Sequence, residues 1–211
     1  MKPSFPQQFR FAVILLAFSA GGLKALDTGS TTHPTMPIES LCNTTNNASL
    51  CMSILSRYPA SAPSAKLQSQ TAFIVDLALV EVHSSYLVAQ GLLHENNAST
   101  NGKSTLQDCL EQMSDCRDSL KQSKRRLQHL DGHNPPLMVT AQVMDVRVWL
   151  SASLTYMETC RDELADPSAA LLKSLLRGSV QKKVEPLLSM ALKFSETLQQ
   201  PGGTSIAYAL S

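Results

Sequence analysis

The sequence predicts an all-α fold: an up-down four-helix bundle, preceded by a short N-terminal helical hairpin and stapled by two disulfides. Three observations carry this. Four long stretches place apolar residues at three- and four-residue spacing. The connections between them are short and rich in helix-starting and turn residues. The alternating pattern of strands is nearly absent. Helices of similar length joined by short links pack as antiparallel neighbours, and no period of 20–50 residues repeats, which excludes a solenoid.

The first residues, MKPSFPQQFRFAVILLAFSAGGLKAL, carry Lys2 and Arg10, an apolar run from Phe11 to Ala20, and then small residues. The run is too short to cross a bilayer, and the pattern predicts a secretory signal peptide over residues 1–25. Its removal takes Lys2, Arg10 and Lys24, leaving 15 basic against 17 acidic residues. A slightly acidic mature chain argues against nucleic acid as a partner. Residues 26–37 form a Ser/Thr/Pro-rich lead-in, expected to be extended. No later segment offers a long apolar stretch free of charge, so no membrane span is expected in the mature chain. Residues 38–199 form one domain, and 200–211 a polar C-terminal tail.

Within the domain, IESLC and LCMSILSRY flank the polar CNTTNNASLC between Ile38 and Pro59, the layout of a helical hairpin. Four long segments follow, at about Ala65–Leu93, Thr105–Leu130, Leu137–Leu164 and Pro167–Leu198. In the first, Leu67, Thr71, Ile74, Ala78 and Val82 mark an inward face. Pro186 falls inside the last, where a missing backbone donor and a steric clash predict a kink or break. Asn43, Asn47 and Asn97 each begin an N-x-Ser/Thr sequon in a polar stretch, as glycosylated surface turns of a secreted chain would.

Five cysteines follow the leader, an odd count that leaves one thiol without an intrachain partner. Cys42 and Cys51 bracket eight residues and suit a clip closing the hairpin. In TLQDCLEQMSDCRDSL, Cys109 and Cys116 point the same way from one helix. Their α-carbons stand about 10.5 Å apart along its axis, beyond the reach of about 7 Å for a disulfide. Either could meet Cys160 across the bundle.

No catalytic constellation is found: there is no Gly-x-Ser-x-Gly, His-Glu-x-x-His, phosphate-cradling glycine loop or Cys-x-x-Cys. The histidines are scattered, and secreted thiols oxidise rather than hold metal, so neither metal nor cofactor is expected and the chain is not read as an enzyme. With Cys109 inward, a rotation of about 100° per residue places Glu111, Asp115 and Asp118 near 200°, 240° and 180°, facing away from the core. An ordinary solvated helix face would look the same. Lys121, Lys124, Arg125 and Arg126 sit where cations meet the helix dipole and receive no partner from the sequence.

The stretches IESLCNTTNNASLCMSIL, LQDCLEQMSDCRDSL and DVRVWLSASLTYMETCRD together resemble the plant invertase and pectin methylesterase inhibitor family, over roughly residues 38–199. The resemblance implies disulfides Cys42–Cys51 and Cys109–Cys160, with Cys116 as a buried free thiol where the family usually has Ala. It implies a secreted inhibitor of a cell-wall pectin methylesterase in the apoplast, with the alternatives of an acid invertase target or a non-inhibitory cell-wall bundle. The Pro-Lys-Phe motif of similar invertase inhibitors is not found here, which favours the esterase. The family's esterase inhibitors lay acidic residues of one helix against the target's substrate cleft. The matching positions are Glu111, Asp115 and Asp118, with Thr159 and Asp162 as a second patch.

Overall fold

In a computed structural model, the described residues are 38–58, 67–94, 100–130, 136–165 and 171–198. The expected signal peptide, lead-in, C-terminal tail and Asn97 sequon lie outside them. The chain forms α1 (Ile38–Cys42), α2 (Ala48–Leu55), α3 (Leu67–His94), α4 (Thr100–Gln128), α5 (Pro136–Glu163), α6 (Leu171–Ser179), a π-helical turn (Val180–Val184) and α7 (Glu185–Leu198). The long helices α3, α4, α5 and the α6–α7 segment run antiparallel. Around the ring, α3 packs on α4, α4 on α5, α5 on α7, and α7 back on α3.

The hairpin closes through local chemistry. Thr44 and Thr45 donate their hydroxyls to the carbonyls of Leu41 and Cys42, each at 2.7 Å, which satisfies the last turn of α1. Asn47 caps α2 by accepting the Leu50 amide at 3.0 Å. Disulfide Cys42–Cys51 joins the two helices at a Cα separation of 5.4 Å. Leu41, Ile54 and Leu55 are buried in the core, and Tyr58 meets Phe73 of α3 edge-to-face with ring centroids 5.3 Å apart. Asn43 and Asn47 are both exposed, as sequons require.

Of the predicted inward face of helix α3, Thr71, Ile74, Ala78 and Val82 are fully buried, while Leu67, at the start of the helix, is part-buried against the core. Among the described residues α3 is the one helix long and apolar enough to cross a membrane by length and composition, although Asp76 and Glu81 interrupt its apolar run. Here it serves as a bundle helix. Its Asp76 pairs with Lys124 of α4 at 2.6 Å, its Glu81 approaches Lys183 at 3.7 Å, and Arg117 of α4 lies over the Tyr86 ring at 5.3 Å. Gln68, in the first turn of α3, donates to the carbonyls of Leu127 and Leu130 at 2.7 and 2.9 Å. The Leu130 carbonyl, just past the end of α4, gains a partner in this way, and that of Leu127 gains a second beside the Leu130 amide at 3.3 Å.

Helix α4 begins at Thr100, a turn before the expected Thr105. Its polar opening, TNGKS, reads as a loop, but adding residues to a nucleated helix fixes one hydrogen bond per residue at little cost. The last segment departs from a continuous helix as Pro186 predicts, and the departure is a π turn in which the Glu185 amide donates to the Val180 carbonyl. The inward residues Leu176, Val180, Val184 and Leu188 are all buried and recur every four residues. A four-residue step overshoots the 3.6-residue turn by about 40°, so a regular α-helix would swing this row off the core. The wider turn brings it back.

Cys109 and Cys160 are bonded across α4 and α5, with their Cα atoms 4.7 Å apart, while Cys116 is free and buried. The register between the helices makes the choice. Seven residues from Cys109 along α4, and seven back from Cys160 along α5, Cys116 meets Ser153, whose hydroxyl donates to the Cys116 carbonyl at 3.4 Å. Burial pushes the Cys116 thiol up to about 12, against a smaller opposing effect of Ser153. A thiol that stays protonated is a poor nucleophile, and it packs here as a small apolar residue.

Candidate functional site

The outward face of α4 holds the first set of residues singled out by the sequence. Glu111, Asp115 and Asp118 are exposed at i, i+4 and i+7, on the side opposite buried Cys109, Met113 and Cys116. Glu111 and Asp115 make no ion pair or hydrogen bond among the described residues. Asp118 accepts a hydrogen bond from Lys121 at 2.8 Å, which holds its carboxyl below the usual range. Asp118 is thereby held ionised, and the other two carboxylates of the row are uncommitted.

The second patch lies on α5, at the level of the disulfide. Because Cys109 is bonded to Cys160, the neighbours Glu111 on one helix and Thr159 and Asp162 on the other stand at the same height of the bundle. Both α5 residues are engaged internally: the Thr159 hydroxyl donates to the Thr155 carbonyl at 2.9 Å, and Asp162 accepts from Arg161 at 3.0 Å. Arg161 also reaches Glu185 of α7 at 2.7 Å. The hydrogen bond to Asp162 is the larger reason its guanidinium is held protonated.

Two part-buried carboxylates, missed by the sequence reading, flank this patch. One Glu163 oxygen and one Glu185 oxygen are buried without a hydrogen-bond partner. Burial raises the Glu163 carboxyl above its ordinary range, and the negative charge of Asp108 on α4 adds to the rise. For Glu185 burial again dominates, outweighing the stabilisation of its charged form by Arg161. Asp108 could have been found from the rotation that located Glu111, since it falls at about 260° on the flank of α4 turned towards α5. The other partner could not, because the α4–α5 register is a tertiary fact.

Further along α4 the charge reverses. Lys121 pairs with Asp118, Lys124 with Asp76 at 2.6 Å, and Arg126 with Asp145 of α5 at 3.1 Å. A cleft of about 260 Å³ opens among Gln122, Arg125, Arg126, His129 and Trp149. A second, of about 370 Å³, lies where the hairpin turn Thr45–Asn47 meets Glu158, Glu185 and Met190. Among the described residues no group of three or more His, Cys, Asp or Glu could hold a metal. What the site offers chemically is a rigid, disulfide-braced surface with exposed acidic residues, suited to docking against another molecule.

The family model of the plant invertase/pectin methylesterase inhibitors matches residues 37–194. A pectinesterase/pectinesterase inhibitor 3 of Arabidopsis thaliana is 28% identical over 189 residues, 86% of this chain and 30% of its own length. A pectinesterase inhibitor 10 of the same plant is 26% identical over 147 residues, 70% of this chain and 45% of its own. The chain thus spans less than half the length of either relative. A crystal structure of a mutant form of a pectin methylesterase inhibitor from Arabidopsis superposes with a TM-score of 0.61 at 18% identity, covering 75% of this chain and 95% of that one.

Proposed function

Since the chain belongs to the plant invertase/pectin methylesterase inhibitor family, we propose that it is a secreted protein that inhibits a cell-wall pectin methylesterase by binding over its substrate cleft. The observation that carries this reading is the exposed row on α4, where Glu111 and Asp115 have no partner within the described fold and Asp118 is held ionised. A cleft that accepts a polyuronate chain attracts carboxylates presented along a rigid rod. The bundle behind them supplies the bulk that keeps substrate out.

Inhibition then needs no chemistry from the inhibitor itself. The apolar core and the Cys109–Cys160 bond fix α4 against α5, so the row reaches a partner preorganised and little conformational freedom is lost on binding. Thr159 and Asp162 extend the contact onto α5. Export to the apoplast, with a glycan on Asn43, Asn47 or Asn97, belongs to the same reading and is supported by the leader pattern and the two exposed sequons of the hairpin. The test mixes the purified protein with a plant pectin methylesterase and, separately, with an acid invertase, and follows both activities. Stoichiometric loss of esterase activity alone is expected. Loss of invertase activity alone would move the target to the family's other branch.

A further inference from the structure

We propose that the cleft at the C-terminal end of α4 binds an acidic sugar, gripping the carboxylate of a hexuronate unit through Arg125 and resting its ring beside Trp149. Gln122, Arg125, Arg126 and His129 stand at i, i+3, i+4 and i+7, on one face of the helix, and Trp149 closes the cleft from α5. The volume of about 260 Å³ accommodates a single pyranose unit, in a shallow depression widely open to solvent.

The charges in this region are unequally committed. Lys121, Lys124 and Arg126 each hold a carboxylate of the bundle. Arg125, among the described residues, forms no ion pair; its Nε donates weakly to the Lys121 carbonyl at 3.3 Å, the rest of the guanidinium fork makes no further hydrogen bond there, and its charge contributes a little to holding Asp118 ionised. Such a fork matches a carboxylate with two parallel hydrogen bonds. Its neighbours are already oriented. Arg126 is fixed by Asp145 and lies over the Trp149 ring at 5.7 Å, and His129 is held through Nδ1 to the Arg125 carbonyl at 2.7 Å, turning Nε2 away from the helix.

The negative end of the helix dipole opposes an anion here, but the carbonyls of Leu127 and Leu130 are occupied by Gln68 and that of Arg125 by His129. A bare phosphate would use the arginine and leave the indole and the Gln122 amide idle. A sugar acid uses all three, with its apolar ring face against the indole and its hydroxyls on the amide. This ligand is distinct from the enzyme target and is bound at the end of α4 away from the carboxylate row.

Trp149 is the single tryptophan of the chain, so its emission reports on this cleft alone. The purified protein is titrated with a linear tri-uronate, with a neutral trisaccharide of glucose, and with inorganic phosphate, at low and high salt. A saturable change with the tri-uronate is expected, weakened by salt, absent with the neutral sugar, and much weaker with phosphate. Arg125→Gln, at an exposed position, should raise the dissociation constant about tenfold, as loss of a charge-assisted pair does, without moving the melting temperature. No response, an equal response to the neutral sugar or to phosphate, or tri-uronate binding indifferent to Arg125→Gln, would each overturn the proposal.

Discussion

In the first half of the charged row of α4, from Glu111 to Asp118, the outward charges are acidic and only Asp118 is paired, whereas in the second half, from Lys121 to Arg126, the charges are basic and only Arg125 lacks an ion pair among the described residues. What separates the two is how each half is fastened. The first half lies beside the Cys109–Cys160 bond to α5, and Glu111 and Asp115 hold nothing in place. The second half has no covalent tie. There, Lys124 and Arg126 reach across to α3 and α5, and Gln68 closes the helix end. Where the fold is secured from inside, the outside is released for recognition.

The covalent fastening is the place to break this comparison hardest. Replacing Cys109 and Cys160 together by Ala should lower the unfolding free energy by about 2–5 kcal/mol, read from denaturant titration. A loss below about 1 kcal/mol would mean that packing alone secures this half. Next in size is the acidic row itself. Substituting Glu111, Asp115 and Asp118 by Ser should weaken esterase inhibition at least about tenfold, since desolvated interface charges are costly to truncate. Exposed charges contribute little to folding, so unfolding should shift by less than about 1 kcal/mol. Unchanged inhibition would leave the row a solvated face and no more.

The ionic fastening should prove weaker than the covalent one. Arg126→Gln removes the half-exposed pair with Asp145 and the contact over Trp149, for a combined loss of about 1 kcal/mol. The smallest effect concerns pH. A carboxyl whose folded pKa lies above its unfolded value binds more protons when folded, so its contribution falls as pH rises through that window. Glu163, raised by burial and Asp108, therefore favours the fold at acidic pH and burdens it at neutral pH. Glu163→Gln should raise the melting temperature slightly near pH 7 and leave it unchanged near pH 4. A loss at pH 7 would show that the charged form is wanted.

Much of this contrast is legible in the sequence, and the rest is hidden for identifiable reasons. The inward row Thr71, Ile74, Ala78 and Val82 and the outward row Glu111, Asp115 and Asp118 follow from the 3.6-residue period alone, because both concern a single helix. The rivalry of Cys109 and Cys116 for Cys160 is open at that level, since both share a face; only the α4–α5 register, with Ser153 opposite Cys116, decides it. Pro186 announces that the last helix is interrupted, but it stands beyond the π turn rather than in it. The cue to that turn is the row of four-residue steps from Leu176 to Leu188. The partners of Lys124 and Arg126 come from α3 and α5, and no reading of α4 by itself contains them.

In terms of chain length, the π turn at Val180–Val184 is one surplus residue, held in a loop of backbone one residue wider than the helix around it. The last helix can therefore lose a residue there without losing its helical character, and would re-form as an ordinary α-helix. Deleting that residue would set Leu176, Val180, Val184 and Leu188 at steps of four, three and four, the period of a regular α-helix, so Leu187, Leu188 and Met190 would go on facing the core. The same deletion elsewhere in the helix would rotate everything beyond it by about 100°. The π turn is therefore the one place in this helix where a change of one in length leaves the inward side unchanged.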